Sequence, residues 1–390
     1  MFNIILLGLV SFFTDLSTEM IYPLIPLYLV SAFGATPAIV GVIEGIAESL
    51  ASLLKVFSGY VSDRFQRKKA IAFSGYSTGL IYKFVLLLAG SWIGVLAARS
   101  IDRFGKGIRT APRDVLVSEN ASKDSMGKAF GIHKALDMAG AALGILITYF
   151  LLRNSKGTFD YKSIFAISII PALLGLCMFF FLKEKKVQRQ TKQKFPFWKN
   201  AKTINGRLKL YLVVVGIFTL GNSSNSFLLL KAKAIGFDNI SVVLLYFIFN
   251  ITASVLSIPF GRLSDKVGRK KLLVSGYLVF SLCYFGFAVA WNKPQMISAF
   301  VLYGAYTAMV AGVERAFVAE VAPPDLKGTM LGLHSTVTGI ALLPASIIAG
   351  LLWTLFGAMA PFLFGALMSL LATLILIFFM QNHENALLKS

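Results

Sequence analysis

Charge is scarce in this chain. Of its 390 residues 14% are Asp, Glu, Lys or Arg, against 56% apolar, where a water-soluble domain carries about a quarter charged. Too few polar residues are present to clothe a compact globule in water. Acids are scarcer still, 18 against 38 Lys and Arg, for a net charge of +20. Cysteine is nearly absent: Cys177 and Cys283 both lie in apolar runs, which excludes a disulfide framework and a cysteine-based zinc site and makes both expected core residues. Histidine occurs three times; His133 alone has plausible acids near it and no nucleophile beside it, which argues against an enzyme, and no cofactor or metal is implied. The Gly-x-x-x-x-Gly-Lys-Ser/Thr pattern is missing, so ATP is not the direct driver of any activity.

What the sequence has in plenty is long apolar runs, at a mean hydropathy of +0.73. Polar breaks divide it into about twelve spans, roughly 4–31, 36–60, 68–90, 92–118, 126–152, 160–182, 208–233, 239–262, 271–291, 295–321, 328–355 and 358–380. Each is long enough to cross a hydrocarbon core of about 30 Å. The first has no basic flank or small-residue cleavage site and reads as a retained helix. Between Lys183 and Lys209 stand ten Lys or Arg and one acid, Glu184. Short basic connections mark the cytoplasmic side of a membrane protein, which accounts for the net charge without nucleic acid. An even number of spans then puts both termini in the cytoplasm. The triplets Asn222-Ser-Ser and Asn250-Ile-Thr are expected inside helices, not as glycosylation sites.

An internal repeat organises the chain. Gly59-Tyr-Val-Ser-Asp63-Arg64-Phe-Gln-Arg67-Lys-Lys recurs 202 residues on as Gly261-Arg-Leu-Ser-Asp265-Lys-Val-Gly-Arg269-Lys-Lys, and Glu119, Gly127, Gly131 and His133 recur after 201 as Glu320, Gly328, Gly332 and His334. The expectation is an all-α membrane protein of twelve transmembrane helices in two pseudo-symmetric six-helix halves, residues 1–183 and 208–390, joined by a basic cytoplasmic linker at 184–207.

These motifs resemble those of the major facilitator superfamily of secondary transporters, and the resemblance spans the chain. The family's loop motif between helices 2 and 3 is met at Gly59, Asp63, Arg64, Arg67 and Lys68, with a weaker copy at Gly261, Asp265, Arg269 and Lys270. Pro23 and Pro26 are similar to its helix 1 proline pair. Its helix 4 motif looks like Arg103 to Ala111, made more basic by Lys106 and Arg109 where the family has Gln and Gly. The run Asp102 to Asp114 is similar to a bacterial subgroup of the family. In helix 5, Gly131, Gly140 and Gly144 keep part of the antiporter spacing, with Ile145 where proline is usual.

The residues carry a physical reading beside the resemblance. Asp63 closes helix 2 where a carboxylate can meet a neighbouring helix N-terminus, and Arg64 and Arg67 need acids at the same depth. With Asp114, Glu119, Gly261, Asp265, Arg269 and Glu320, they make a candidate cytoplasmic latch. Arg99, Asp102, Arg103, Lys106 and Arg109 fall mostly on one face of helix 4. Counting about 1.5 Å per residue from Trp92 puts Arg103 near the bilayer centre. A charge facing lipid there costs at least about 2.5–3.5 kcal/mol, so the stripe must face acids or a wet cavity. Asp15 with Glu19, Glu44 with Glu48, and His133 with Asp137 share the i, i+4 spacing of one helix face. A carboxylate beside a movable base is what proton coupling needs; Asp15, Glu19, Glu48, Asp137 and His133 are the candidates. The alternative for each is a permanent salt bridge. In the second half Asn222, Asn225, Tyr303, Tyr306, Glu314 and Arg315 are candidates for the substrate cavity.

The expected function is a secondary active transporter of the cell (inner) membrane working by alternating access as a monomer, with lipid, protons and a small-molecule substrate as its partners. Proton-coupled export of a small organic solute is the first reading. Transport of an anionic solute or metal chelate, siderophore-like or iron-related, is the alternative, as is a non-transporting membrane sensor of the same fold.

Overall fold

The computed structural model describes residues 2–65, 68–120, 126–154, 160–182, 206–321 and 327–387. Every regular element among them is helical. They are α1 (Phe2–Glu19), a 3-10 turn (Tyr22–Leu24), α2 (Ile25–Phe33), α3 (Pro37–Phe65), α4 (Lys68–Leu87), α5 (Trp92–Glu119), α6 (Met126–Asn154), α7 (Tyr161–Ile167) and α8 (Ile169–Phe180). There follow α9 (Gly206–Gly221), α10 (Ser226–Ala234), α11 (Asn239–Val267), α12 (Arg269–Val289), α13 (Lys293–Val310), α14 (Val313–Val321), α15 (Lys327–Phe356) and α16 (Ala360–Leu387). Eleven stretches are long and apolar enough to cross a membrane. Charges keep α5 out of that count: its eight ionisable residues include Arg99, Asp102, Arg103, Lys106 and Arg109.

Local chemistry sets where the spans start, stop and break. Ser91 caps α5 by accepting from the Gly94 N–H, and Asn292 caps α13 by accepting from that of Gln295 at 3.0 Å, satisfying donors that open a helix. Gly34 and Gly236 close α2 and α10 with φ of 59° and 96°, a left-handed turn glycine adopts without strain. They stand 202 positions apart. Pro23 and Pro26 interrupt the first span, giving the 3-10 turn between α1 and α2. Asn222, Ser223, Ser224 and Asn225 form a non-helical stretch between α9 and α10, so the Asn222 triplet lies in a break, contrary to expectation, while Asn250 sits in α11.

The chain divides into two compact units. The first comprises Met1–Ala35, Ile46–Phe195 and Asp238–Phe247, and the second Thr36–Gly45, Pro196–Phe237 and Ile248–Ser390. In the first, glycines set how closely helices approach. A Cβ on Gly140 of α6 would run into the Phe12 carbonyl of α1, and one on Gly144 into that of Leu16. Gly75 on α4 faces Gly105 on α5 in the same way. In the second unit Gly221 of α9 packs on Gly365 of α16, and Gly41 and Gly350 bring the first turns of α3 onto α15. An aromatic core fills the rest: Phe218 lies flat on Tyr277 with centroids 3.9 Å apart, and Phe280, Tyr284, Phe287 and Phe362 continue the stack.

Large apolar side chains also stand outward, as lipid contact requires, with Leu88, Phe180 and Leu355 each at least 70% exposed. Cys177 is among the exposed residues, which corrects the expectation that both cysteines are core; Cys283 is buried and donates to the Ala299 carbonyl at 3.2 Å. α8 offers one face outward, and Cys177 lies on it beside Leu173 and Leu174.

Candidate functional site

The charged stripe of α5 turns inward, as its spacing requires. Arg99 and Asp102 are 1% exposed, Arg103 4% and Arg109 5%, while Phe104 on the other side of the helix is 43% exposed. Arg103 Nη2 lies 2.8 Å from Glu48 Oε1 of α3, and Arg99 Nη2 lies 3.9 Å from the same oxygen. The two guanidinium groups also flank Asp102 Oδ2, at 3.6 Å from Arg99 and 3.5 Å from Arg103. Beneath them is the ring of Tyr22, 5.2 Å and 5.7 Å from the two guanidinium carbons. The break between α1 and α2 puts that ring there. Its electron-rich face favours a cation where water is excluded.

A second group of acids gathers around Lys106. Glu19, at the end of α1, accepts from the Tyr246 hydroxyl at 3.1 Å. Lys106 is the basic neighbour that Asp15, Glu19 and Glu48 have in common. It is exposed, alone among the five members of the stripe. One ammonium among three carboxyls is a counter-charge that can be reassigned. Asp15 of α1 and Asp137 of α6 stand close enough for their charges to interact. Two carboxylates so placed repel each other. Asp137 also takes Lys134 Nζ at 2.7 Å. His133 bonds across to α1, its Nε2 being 3.0 Å from Ser11 Oγ, which is 3.4 Å from the Tyr76 hydroxyl. Arg109 lies over the Tyr76 ring at 4.8 Å, and its Nη1 has no hydrogen-bond partner among the described residues. Lys83, buried on α4, donates to the Gly79 carbonyl at 2.8 Å.

The second unit's candidates form a different set. Asn222 Nδ2 donates to the Tyr306 hydroxyl at 3.1 Å, and the Tyr303 hydroxyl donates to Asn225 Oδ1 at 2.8 Å. The unwound stretch between α9 and α10 is thus held by two tyrosines of α13. Glu314 turns in and accepts from the Tyr277 hydroxyl at 2.7 Å, while Arg315 is exposed. Glu44, in the N-terminal half of α3, is fully buried and accepts from Ser224 Oγ at 3.2 Å. The i, i+4 spacing pairs Glu44 with Glu48 on one face, yet Glu48 meets guanidinium groups and Glu44 a hydroxyl. Partner identity separates them.

At the candidate latch, Gly59, Asp63 and Arg64 fall in the last turns of α3, and Arg67 lies outside the described residues. Lys68 at the start of α4 pairs with Glu119 at the end of α5. A related pair stands in the second copy of the motif, where Arg269 Nη1 lies 2.8 Å from Glu320 Oε2 and 3.1 Å from the Ala316 carbonyl. Arg269 also reaches Asp265 at 3.7 Å, with Gly261 one turn before it. Asp114 is taken by its neighbour Arg113 at 2.8 Å.

A helical membrane bundle that buries charges of both signs on facing helices is built to move something across the bilayer, since such charges are kept only where they have partners or a pathway to line. The family model of the Major Facilitator Superfamily matches residues 7–229 and again 210–389. The chain belongs to that family; it is a transporter and not an enzyme. It is 37% identical over 382 residues to an uncharacterized MFS-type transporter of Methanocaldococcus jannaschii, covering 96% of this chain and 94% of the relative. It is 23% identical over 324 residues to the Multidrug resistance protein MdtH of Photorhabdus laumondii, covering 80% and 77%. A mutant of the nucleoside transporter NupG has the same fold, with a TM-score of 0.81 at 14% identity over 96% of this chain and 99% of that one.

Proposed function

We propose that this protein is a proton-coupled exporter of a small organic solute that works by alternating access. The observation that carries the reading is the juxtaposition of Asp15 and Asp137, whose repulsion one shared proton would relieve, beside a lysine that also serves Glu19 and Glu48. When that proton leaves, Asp15 becomes a full competitor for Lys106, and the lysine is drawn from Glu19 and Glu48. Glu48 keeps Arg103, and Glu19 is left to take another cation, from a solute. Proton release and solute binding are linked through one shared ammonium. Arg99, Asp102, Arg103 and Arg109 form the fixed wall of this site, and His133 is a relay candidate next to it. Asn222, Asn225, Tyr303 and Tyr306, with Glu314 and Arg315, contribute the solute-shaping surface. The likeness to a multidrug resistance protein supports export.

The remaining parts of the reading follow from the repeat and the charge distribution. α5 is the twelfth span, both termini are cytoplasmic, the basic stretch 184–207 links the two halves along the chain, and the monomer works in the cell (inner) membrane. The related ion pairs Lys68–Glu119 and Arg269–Glu320 brace each half's cytoplasmic end, the foundation on which the latch residues Gly59, Asp63, Arg64 and Arg67 act. An exposed pair contributes about 0–1 kcal/mol. Glu320→Gln is therefore expected to leave thermal stability nearly unchanged while altering the transport rate; equal rates in the variant and the parent protein would remove the latch.

The reading is tested in reconstituted vesicles by following efflux of a lipophilic cationic dye with and without a pH gradient. Gradient-driven efflux that is lost in D137N and in D15N is the expected result. Efflux that ignores the gradient and survives neutralising Asp15, Glu19, Glu48 and Asp137 together would end the coupling proposal. An anionic solute or metal chelate is the second reading, favoured by the exposed Lys106 and the unpartnered Nη1 of buried Arg109. Competition by an anionic dye in the same assay separates the two.

A further inference from the structure

The repeat extends further than the loop motif. Ser74-Gly75-Tyr76 recurs after 201 positions as Ser275-Gly276-Tyr277, His133 as His334, and Arg113-Asp114 as Glu314-Arg315. Each unit therefore has a tyrosine and a histidine at equivalent places, but the third position carries opposite charge. In the first unit Ser11 bridges Tyr76 and His133, and Arg113 is neutralised by Asp114. In the second the bridge is Glu314. Its Oε1 accepts from the Tyr277 hydroxyl at 2.7 Å, and its Oε2 lies 3.8 Å from His334 Nε2. The imidazole lies parallel to the ring of Tyr211, at 6.4 Å and 14°. Carboxyl and imidazole side chains are 17% and 9% exposed.

We propose that the second half carries a proton site of its own, formed by Glu314 and His334 with Tyr277 as its fixed hydrogen-bond donor. The inference deepens the proton-coupled reading and rests on it. Around Glu314 the ionisable groups are Tyr277 of α12, His334 of α15, Tyr211 of α9, Tyr306 of α13 and, on its own helix, Arg315. Among the described residues no lysine or arginine forms an ion pair with Glu314, and the exposed Arg315 acts on it only through space. This distinguishes it from Glu48, whose ion-pair partners Arg99 and Arg103 are guanidinium groups that never release a proton. A sheltered carboxyl paired only with an imidazole keeps its charge when the imidazole takes a proton and loses it when the carboxyl does, so the pair exchanges protons as a unit. Tyr277 donates to one oxygen in either state, leaving the other for the mobile proton. In the first unit His133 is hydrogen-bonded to the Ser11 hydroxyl and not to a carboxylate.

The test uses the full-length protein in detergent micelles, stepped from neutral to acidic buffer, and reads the infrared carboxyl band together with the protons taken up per chain. Expected is a carboxyl band that persists in D15N/D137N and disappears in E314Q, with uptake reduced by one proton per chain. H334Q is expected to retain that band and to shift the pH at which it forms. A monodisperse E314Q with unaltered band and proton count overturns the proposal, as does an H334Q whose carboxyl titrates as in the parent protein. Should E314Q fail to fold, Tyr277→Phe is read instead: loss of its hydrogen bond moves the frequency of the Glu314 band, and an unmoved band overturns the site. Failure of the first-half reading shows separately, as dye efflux that is indifferent to D15N and D137N.

Discussion

Arg103→Met is expected to abolish transport and to lower stability by about 3–5 kcal/mol, the range for removing one partner of a buried ion pair. Arg103 joins two carboxyls, Glu48 at 2.8 Å and Asp102 at 3.5 Å. Methionine fills the volume but leaves Arg99 alone between both, at 3.9 Å and 3.6 Å. The thermal loss of the monodisperse peak on size exclusion measures the first effect and vesicle efflux the second. Lysine at this position keeps the charge but not the planar fork, so R103K is expected to regain part of the stability and little of the transport. Adding E48Q to R103M removes one stranded carboxylate and is expected to recover stability without recovering transport. An R103M protein as stable as its parent would mean that Glu48 and Asp102 do not depend on Arg103.

Gly140→Val combined with Gly144→Val is expected to eliminate folded protein. Overpacking costs about 1–3 kcal/mol per site where side chains can shift. Here the obstacles are the carbonyls of Phe12 and Leu16 in the facing helix, and backbone in the middle of a helix has nowhere to move. α1 would have to withdraw from α6, separating Asp15 from Asp137 and Ser11 from His133. Gly131→Ala is the control on the same helix, because a Cβ there meets nothing within 4 Å. Expression with a fluorescent tag followed by size exclusion reads both. A double-valine protein that elutes as a sharp monomer would show that the α1–α6 distance is adjustable.

Much of this architecture was legible in the sequence. Apolar run length and breaking residues located the spans, and the constant shift between Gly59 and Gly261 revealed the duplication before any coordinates. The inward face of α5 was legible because a helix has one period and burying charge against lipid is costly, which left a single orientation for Arg99, Asp102, Arg103 and Arg109. Pairings were not. Periodicity gives the face a residue occupies but not what stands opposite, so Glu44 and Glu48 were indistinguishable until one met a hydroxyl and the other two guanidinium groups. Tyr22 escaped for a related reason: a tyrosine in an apolar run reads as packing, and its place under Arg99 and Arg103 arises from the turn made by Pro23. Glu314 stood out as a charge, but its link to Tyr277 and His334 depends on three helices whose order in space no local pattern specifies.

The interruption at Tyr22–Leu24 and the unwound residues Asn222 to Asn225 occupy equivalent places in the duplication, 201 positions apart for Tyr22 and Ser223. Peptide groups released from a helix in the oily interior must find protein or water, because lipid tails offer them no hydrogen bonds. Here the protein itself answers part of that demand, the Ile21 N–H donating to the Thr18 carbonyl and the Asn222 N–H to that of Phe218, and each interruption leaves two short rods that can flex independently. A designed continuous rod at either place, with Pro23 and Pro26 replaced by leucine or with alanine through Asn222 to Asn225, would remove that joint.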